Sequence, residues 1–316
     1  MSQDTINYNV SYSMIAKSNQ KAKTQPSENR ESRLLVNHCF DLARQLGISK
    51  ILVFAESVLD QRYILGNKEQ ETIILLTKNK AKIREEFLPH CSVLSLPGQD
   101  LSRSDQFQLG LLKAVLHNMV EHDETVLCIT GLVGSLRLDN LLITNLLRDN
   151  KWFQKHAYEK VPKEILRSQE FNRLLDIALR LASQGREGKK IGTIFVLGDY
   201  LKYDKYLNQL ILNPCKGHPK KNRNIHDNDF FETIREFAAL DGAFIIDNSG
   251  IVVKAGAYLN PPVSEKASML KGFGARHAAA ASLTAVTQAL AIAVSESSSS
   301  VVVFFDGSPI LQLNRR

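Results

Sequence analysis

Cysteine is scarce and scattered in this 316-residue chain: four residues, at positions 39, 91, 128 and 215, with no CxxC pair among them. That excludes a disulfide-stapled scaffold and a structural zinc site, and it fits a reduced, cytoplasmic setting. Long hydrophobic runs are missing too. The longest uncharged one, Ala278 to Val294, holds eight alanines together with Ser282, Thr284, Thr287 and Gln288. It is too short and too weakly apolar to cross a bilayer core about 30 Å thick, so no membrane partner is expected. The first 29 residues lack the apolar stretch of a secretory signal and read as a mobile tail. Acids are in deficit, 33 against 40 Lys and Arg, for a net charge of +7.

What is present is an ordinary globular composition, 44% hydrophobic and 23% charged, which excludes collagen-like and wholly disordered classes. At about 150 residues per domain the length suggests two domains. The positive surplus sits in the middle: Lys151 to Asn224 carries 16 bases against seven acids, while the flanks are near balance. Lys163, Arg167, Arg173 and Arg180 share a strong apolar pattern, so the surplus reads as a solvated helix face plus a basic loop rather than a nucleic-acid stripe. Nucleic-acid binding is not expected.

From Arg30 helix and strand patterns alternate. Glu31 to Leu46 is helical, Ile51 to Phe54, Thr72 to Leu76, Ser92 to Leu96 and Thr125 to Thr130 are strand-like, and Ser102 to Val120 is amphipathic. Strands of this length separated by helices predict a mainly parallel α/β sandwich over residues 30–150. Leu146 to Pro162 reads as a connector, and a second domain is expected over 160–316. There a helix over Lys163 to Ser183 precedes a strand over Gly192 to Gly198 and a helix over Asp227 to Leu240, capped by Asp227 or Asn228. A hairpin turns at Asp247 to Gly250, a helix covers Ala275 to Gln288, and strands cover Ala289 to Ser295 and Val301 to Phe305.

Three features at element ends could carry chemistry. Gly272-Phe273-Gly274-Ala275-Arg276-His277-Ala278-Ala279 pairs a flexible turn with a helix start. Cationic side chains in a first turn are electrostatically unfavourable unless an anion faces them, which points to a phosphate there. The same residues suit a plain Gly-rich connection with an exposed Arg and a core His. Asp241-Gly242-Ala243 puts an acid at the mouth of a strand, suited to a ligand hydroxyl or a metal, or simply to a turn. Ser295-Glu296, at the end of an apolar strand, could bind phosphate and a divalent ion, or form a solvated turn.

Taken in order, Asp241-Gly242-Ala243, Ala255-Gly256-Ala257-Tyr258-Leu259, Gly274-Ala275-Arg276-His277 and Ser295-Glu296 resemble the diadenylate cyclase domain over about Lys163 to Leu313. The resemblance implies a mixed central sheet flanked by helices. It also implies condensation of two ATP into cyclic di-AMP and two pyrophosphates, with Mn²⁺, Mg²⁺ or Co²⁺. Two domains would associate face to face, each 3′-hydroxyl attacking the other ATP. Carried over, Asp241, Arg276 and His277 are catalytic. Gly242, Ala243, Leu259, Gly274, Ala275, Arg276, His277, Ala278, Ala279 and Ser295 bind the nucleotide, and Asp241 and Glu296 hold metal. Ala275 and Ala278 stand where many members of the family have threonine and a second arginine, so triphosphate neutralisation is expected to depend more on Arg276, on backbone N–H groups and on a base from elsewhere, Lys271 being the nearest candidate, or else the site is weak. A degenerate cyclase fold that only binds ATP or cyclic di-AMP is the alternative. The arrangement resembles archaeal cyclases whose front domain is similar to the C-terminal domain of pyruvate kinase, which implies a regulatory or oligomerising role.

Overall fold

A computed structural model of the protein describes residues 30–57, 61–66, 71–99, 101–121, 123–131, 137–145, 148, 159–263 and 274–314. The expected tail 1–29, most of the connector, and Lys271, Gly272 and Phe273 lie outside the described residues.

The first unit contains α1 (Arg30–Leu46), β1 (Lys50–Phe54), α2 (Gln61–Gly66), β2 (Thr72–Thr77), β3 (Ser92–Ser95), α3 (Arg103–Leu116), β4 (Val126–Thr130) and β5 (Asn140–Thr144). Its five strands run in the order β3-β2-β1-β4-β5, all parallel except β5, which is antiparallel to β4. Val36, Cys39, Phe40 and Ala43 recur at helical spacing and give α1 one buried face, and the helix stops where Gly47 turns left-handed at φ +66°. Ile51 to Phe54 are buried on both faces of the sheet, as strands of a covered parallel sheet must be.

The second unit contains α4 (Lys163–Arg167), α5 (Gln169–Gln184), β6 (Thr193–Leu197), β7 (Leu207–Gln209), α6 (Phe230–Phe237), β8 (Ala243–Ile246), β9 (Val252–Leu259), α7 (Ala275–Ala285), β10 (Leu290–Val294), β11 (Val301–Phe305) and β12 (Ser308–Leu313). The order is β12-β11-β10-β6-β8-β9-β7, and only β6 and β8 are parallel. This is the expected mixed sheet. One apolar core runs from the first sheet through α3, α4 and α5 to the second. Separate cores lie under α1 and under α7.

Several boundaries differ from the sequence reading. The single helix expected over Lys163 to Ser183 breaks at Ser168, whose ψ of 155° is extended and whose hydroxyl accepts from Phe171 N to cap α5. The helix expected over Asp227 to Leu240 shrinks to α6. Its first turn is not capped by Asp227 or Asn228: the carboxylate of Asp227 accepts from Asp229 N one step too early, and Asp229 takes the cap position. The amphipathic segment forms α3, but Asp105 to Leu116 are nearly all buried, because a second unit covers the face that would otherwise meet water.

The joint between the units is polar at its rim. Arg167 donates to Leu116 O, Gly98 N donates to Asp176 Oδ1 at 3.1 Å, and Asn314 N donates to Asp105 Oδ1 at 3.0 Å. Lys113, 7% exposed, sits in its middle and donates to Ser95 O at 2.6 Å and Asn172 Oδ1 at 2.5 Å. With neutral partners, burial and then the charge of Lys80 push the Lys113 ammonium down to about 8 from its ordinary 10.5. Between those two values the unfolded chain holds a proton that the folded chain has shed, so this side chain makes stability rise with pH. Lys113→Met is therefore expected to remove a positive slope of up to about 1.4 kcal/mol per pH unit between pH 8 and 10. The check is the difference between wild-type and variant denaturation curves, in which every other titrating group cancels.

The four cysteines are free thiols, three of them buried. Among the described residues no helix is long and apolar enough to cross a membrane.

Candidate active site

Strand register brings the three chemical motifs to one edge of the second sheet. β6 and β8 are parallel with Ile194 opposite Ala243, and β10 is antiparallel to β6 with Val294 opposite Thr193. Gly192 before β6, Asp241-Gly242 before β8 and Ser295-Glu296 after β10 therefore end on a common line. Leu259, at the close of β9, ends there too, since Ala243 pairs with Ala257. α7 starts above this edge with Gly274 as its cap residue, so no side chain caps its first turn and its positive end faces the edge.

Glycine is required at Gly242. Its φ is +115°, and a Cβ there would stand 2.6 to 2.9 Å from backbone atoms of Gly256 and Ala257. Gly256 itself has φ +67° and packs against Ile211, where a Cβ would meet Cγ1 at 2.7 Å. The two strands thus touch backbone to backbone just behind Asp241, which turns that carboxylate outward to 86% exposure. Gly192 is the second close approach: a Cβ would lie 3.0 Å from Arg276 Nη1 and 3.1 Å from Glu296 N.

Arg276 is the hub. Its Nη2 lies 3.2 Å from Asp241 Oδ1 and its Nη1 lies 3.3 Å from Glu296 Oε2, so one guanidinium holds both acids. An open cleft of about 690 Å³ lies here, lined by Gly274, Ala275, Arg276, His277, Ser295 and Glu296 together with Lys189, Lys190, Val294 and Ser297. His277 is buried, with its ring edge-on to Phe304 at 6.0 Å between centroids. Burial, and secondly the charge of Arg276, push its imidazole below the ordinary value, so it sits neutral beneath the cleft. Ser295 is nearly buried and closes the turn that follows it: its hydroxyl accepts from Ser298 N at 3.3 Å and meets Ser297 Oγ at 3.3 Å.

Of the residues picked from sequence, Asp241, Gly274, Ala275, Arg276, His277, Ser295 and Glu296 come together. Gly242 stands behind Asp241, while Ala243 and Leu259 are buried in the sheet core. Ala278 and Ala279 lie one turn along α7, half-buried and outside the cleft wall. Lys189, Lys190, Gly192 and Ser297 were not among the residues picked, though a basic doublet directly before an apolar strand was the available signal.

The donor set suits a hard divalent cation. Both acids offer carboxylate oxygens within 3.3 Å of one guanidinium, and among the described residues no three His, Cys, Asp or Glu side chains form a closed cage.

The fold and site describe a nucleotide-binding α/β domain behind a second α/β unit, and the comparisons agree. The family model described as DisA bacterial checkpoint controller nucleotide-binding matches residues 180–308, and one described as probable sensor domain DacZ_P matches residues 30–153. A diadenylate cyclase of Methanocaldococcus jannaschii is 31% identical over 249 residues, 77% of this chain and 78% of that protein. Another, from Haloferax volcanii, is 30% identical over 70% of this chain and 79% of its own length. A crystal structure of DacA from Staphylococcus aureus, a double mutant, aligns with 46% of this chain and 87% of that one at 22% identity and a TM-score of 0.33. The chain belongs to the diadenylate cyclase family.

Proposed function

We propose that the edge around Arg276 is where this cyclase joins two ATP into cyclic di-AMP, and that Asp241, Arg276 and Glu296 do the chemistry. The observation that carries the reading is the guanidinium at a helix start, bridging two acids at the mouth of a cleft. Two new 3′-oxygen to phosphorus bonds form, two α–β anhydride bonds break, and two pyrophosphates leave. Phosphoryl transfer of this kind needs positioning and charge neutralisation more than covalent help.

The triphosphate enters against the start of α7, and Arg276 exchanges its carboxylate partners for phosphate oxygens. Asp241, released, accepts a hydrogen bond from the 3′-hydroxyl and takes up its proton. Asp241 and Glu296 would hold a divalent ion, which would supply further charge neutralisation at the phosphates. His277, neutral and buried, keeps the first turn of α7 packed on the sheet. Because each ATP must meet the hydroxyl of another, two such edges face each other and the monomer alone is inactive. The front unit is a regulatory or oligomerising domain of pyruvate kinase C-terminal type.

The test is incubation with ATP and Mn²⁺, Mg²⁺ or Co²⁺ at a series of enzyme concentrations. One cyclic di-AMP per two pyrophosphates is expected, with activity per subunit rising as monomers associate. ATP or cyclic di-AMP binding without product under any of the metals would instead mean a binding module, the reading that Ala278 in place of a second arginine favours.

A further inference from the structure

Among the described residues three cations line the cleft, Arg276, Lys189 and Lys190, and the proposed reaction uses only Arg276. Lys189 and Lys190 leave a two-residue turn in which Arg186 N donates to Lys189 O at 2.9 Å and Lys189 N to Arg186 O at 2.8 Å. Both central residues are left-handed, Glu187 at φ +50° and Gly188 at φ +77°, the geometry of a tight type I′ hairpin turn. Gly185 before it has φ +57°, and a Cβ there would lie 2.1 Å from Lys189 O, so the turn closes against its own base. The backbone that presents the two lysines is therefore fixed. The turn's own charges point elsewhere: Arg186 is held by Glu236, Nη2 to Oε2 2.7 Å, and pairs with Glu187 at 3.8 Å. Among the described residues neither Lys189 nor Lys190 makes an ion pair; Lys190 Nζ donates to the carbonyl of Ser297 at 3.2 Å.

Position gives direction. Asp241 stands on one side of Arg276, Glu296 on the other, and the Lys190–Ser297 contact lies on the Glu296 side. A triphosphate whose ribose end is near Asp241 and whose α-phosphate meets Arg276 runs on toward the lysines. In this chain the first turn of α7 brings no second arginine, Ala275 and Ala278 standing on either side of Arg276-His277. Among the described residues Glu296 is the one acid in the cleft wall, against Lys189, Lys190 and Arg276, and the two lysines lie at the end remote from Asp241.

We propose that Lys189 and Lys190 form the subsite for the β- and γ-phosphates of ATP, which is also the site of the departing pyrophosphate. The inference rests on the cyclase reading and adds to it a way of telling substrate from product: cyclic di-AMP carries no β- or γ-phosphate. Ammonium groups on flexible stems act here as point charges and follow the pyrophosphate as it separates.

The experiment measures binding of inorganic pyrophosphate, a non-reacting ATP analogue and cyclic di-AMP to the full chain by calorimetry, for wild type, Lys189→Ala, Lys190→Ala and the double variant. Charge-assisted hydrogen bonds of this kind predict about tenfold weaker binding of the analogue and of pyrophosphate for each lysine lost. Cyclic di-AMP affinity should stay within about twofold of wild type, and the unfolding midpoint should not move, because both side chains are exposed. Lys→Arg at either position should restore most of the loss. Unchanged analogue and pyrophosphate affinity in the double variant would overturn the subsite, as would an equal loss for cyclic di-AMP. Failure of the cyclase reading has a different signature, a wild-type protein that makes no cyclic di-AMP, and the pyrophosphate measurement does not depend on it.

Discussion

Asp241→Asn is expected to lower turnover of ATP about 10²- to 10⁴-fold, the range seen when a positioned proton acceptor is lost. Asparagine keeps the shape and can still accept a hydrogen bond from Arg276, but it cannot take the 3′-hydroxyl proton. The KM for ATP should stay within about threefold, because Asp241 is not among the residues lining the cleft, its charge competes with phosphate for Arg276, and Glu296 would still hold the ion. Stability should hardly change: the carboxylate is 86% exposed and its pair with Arg276 is of the surface kind, worth about 0 to 1 kcal/mol. Steady-state kinetics and a melting curve on the same preparation separate these effects. Near-normal turnover in the variant would remove Asp241 from the reaction, and a large fall in melting temperature would turn it into a folding residue.

The reach of the sequence reading follows from which physical signals are local. Strands buried on both faces, such as Ile51 to Phe54 and Val301 to Phe305, announce themselves as unbroken apolar runs. The edge strands do not. β5 is mostly half-exposed, β7 is three residues long, and β12 carries Pro309, which lacks an N–H to donate and is tolerated because that strand is an edge. Sequence pattern also could not tell that α3 is covered twice, since the second cover comes from helices that begin only at Lys163, far along the chain. At the site, Asp241, Arg276 and Glu296 were legible because each closes or opens an element within a short motif. Lys189 and Lys190 belong to no motif, and their nearness to Glu296 follows only from β6 lying between β10 and β8.

That strand order also gives the front unit a path to the site. α3 packs on the first sheet and against β12, and α5 packs on β10 and β11, the strands whose ends and turn carry Ser295, Glu296 and Ser297.

Arg276→Ala should cost more than any other single change, because this one side chain touches both acids and is the group proposed to meet the phosphates. A guanidinium that neutralises a transferring phosphoryl group contributes about 10³- to 10⁵-fold to turnover, and kcat/KM is expected to fall by that order with ATP affinity weakened as well. Lysine should rescue poorly, since a single ammonium cannot span from Asp241 to Glu296 as Nη2 and Nη1 do at 3.2 and 3.3 Å. A second readout is independent of activity. Arg276 is one of the two causes that depress His277, so in the variant the imidazole should titrate at higher pH than in the wild type while burial still holds it below the ordinary value. Proton NMR of the His277 ring follows this directly. For this histidine the folded value lies below the unfolded one, so it makes the protein less stable as pH falls below about 6.5, and Arg276→Ala should soften that acid loss. Lost turnover together with an unmoved His277 would mean that the guanidinium does not lie where its ion pairs put it. Retained turnover would mean that the triphosphate is neutralised without Arg276, and the assignment of this edge as the reaction site would fall with it.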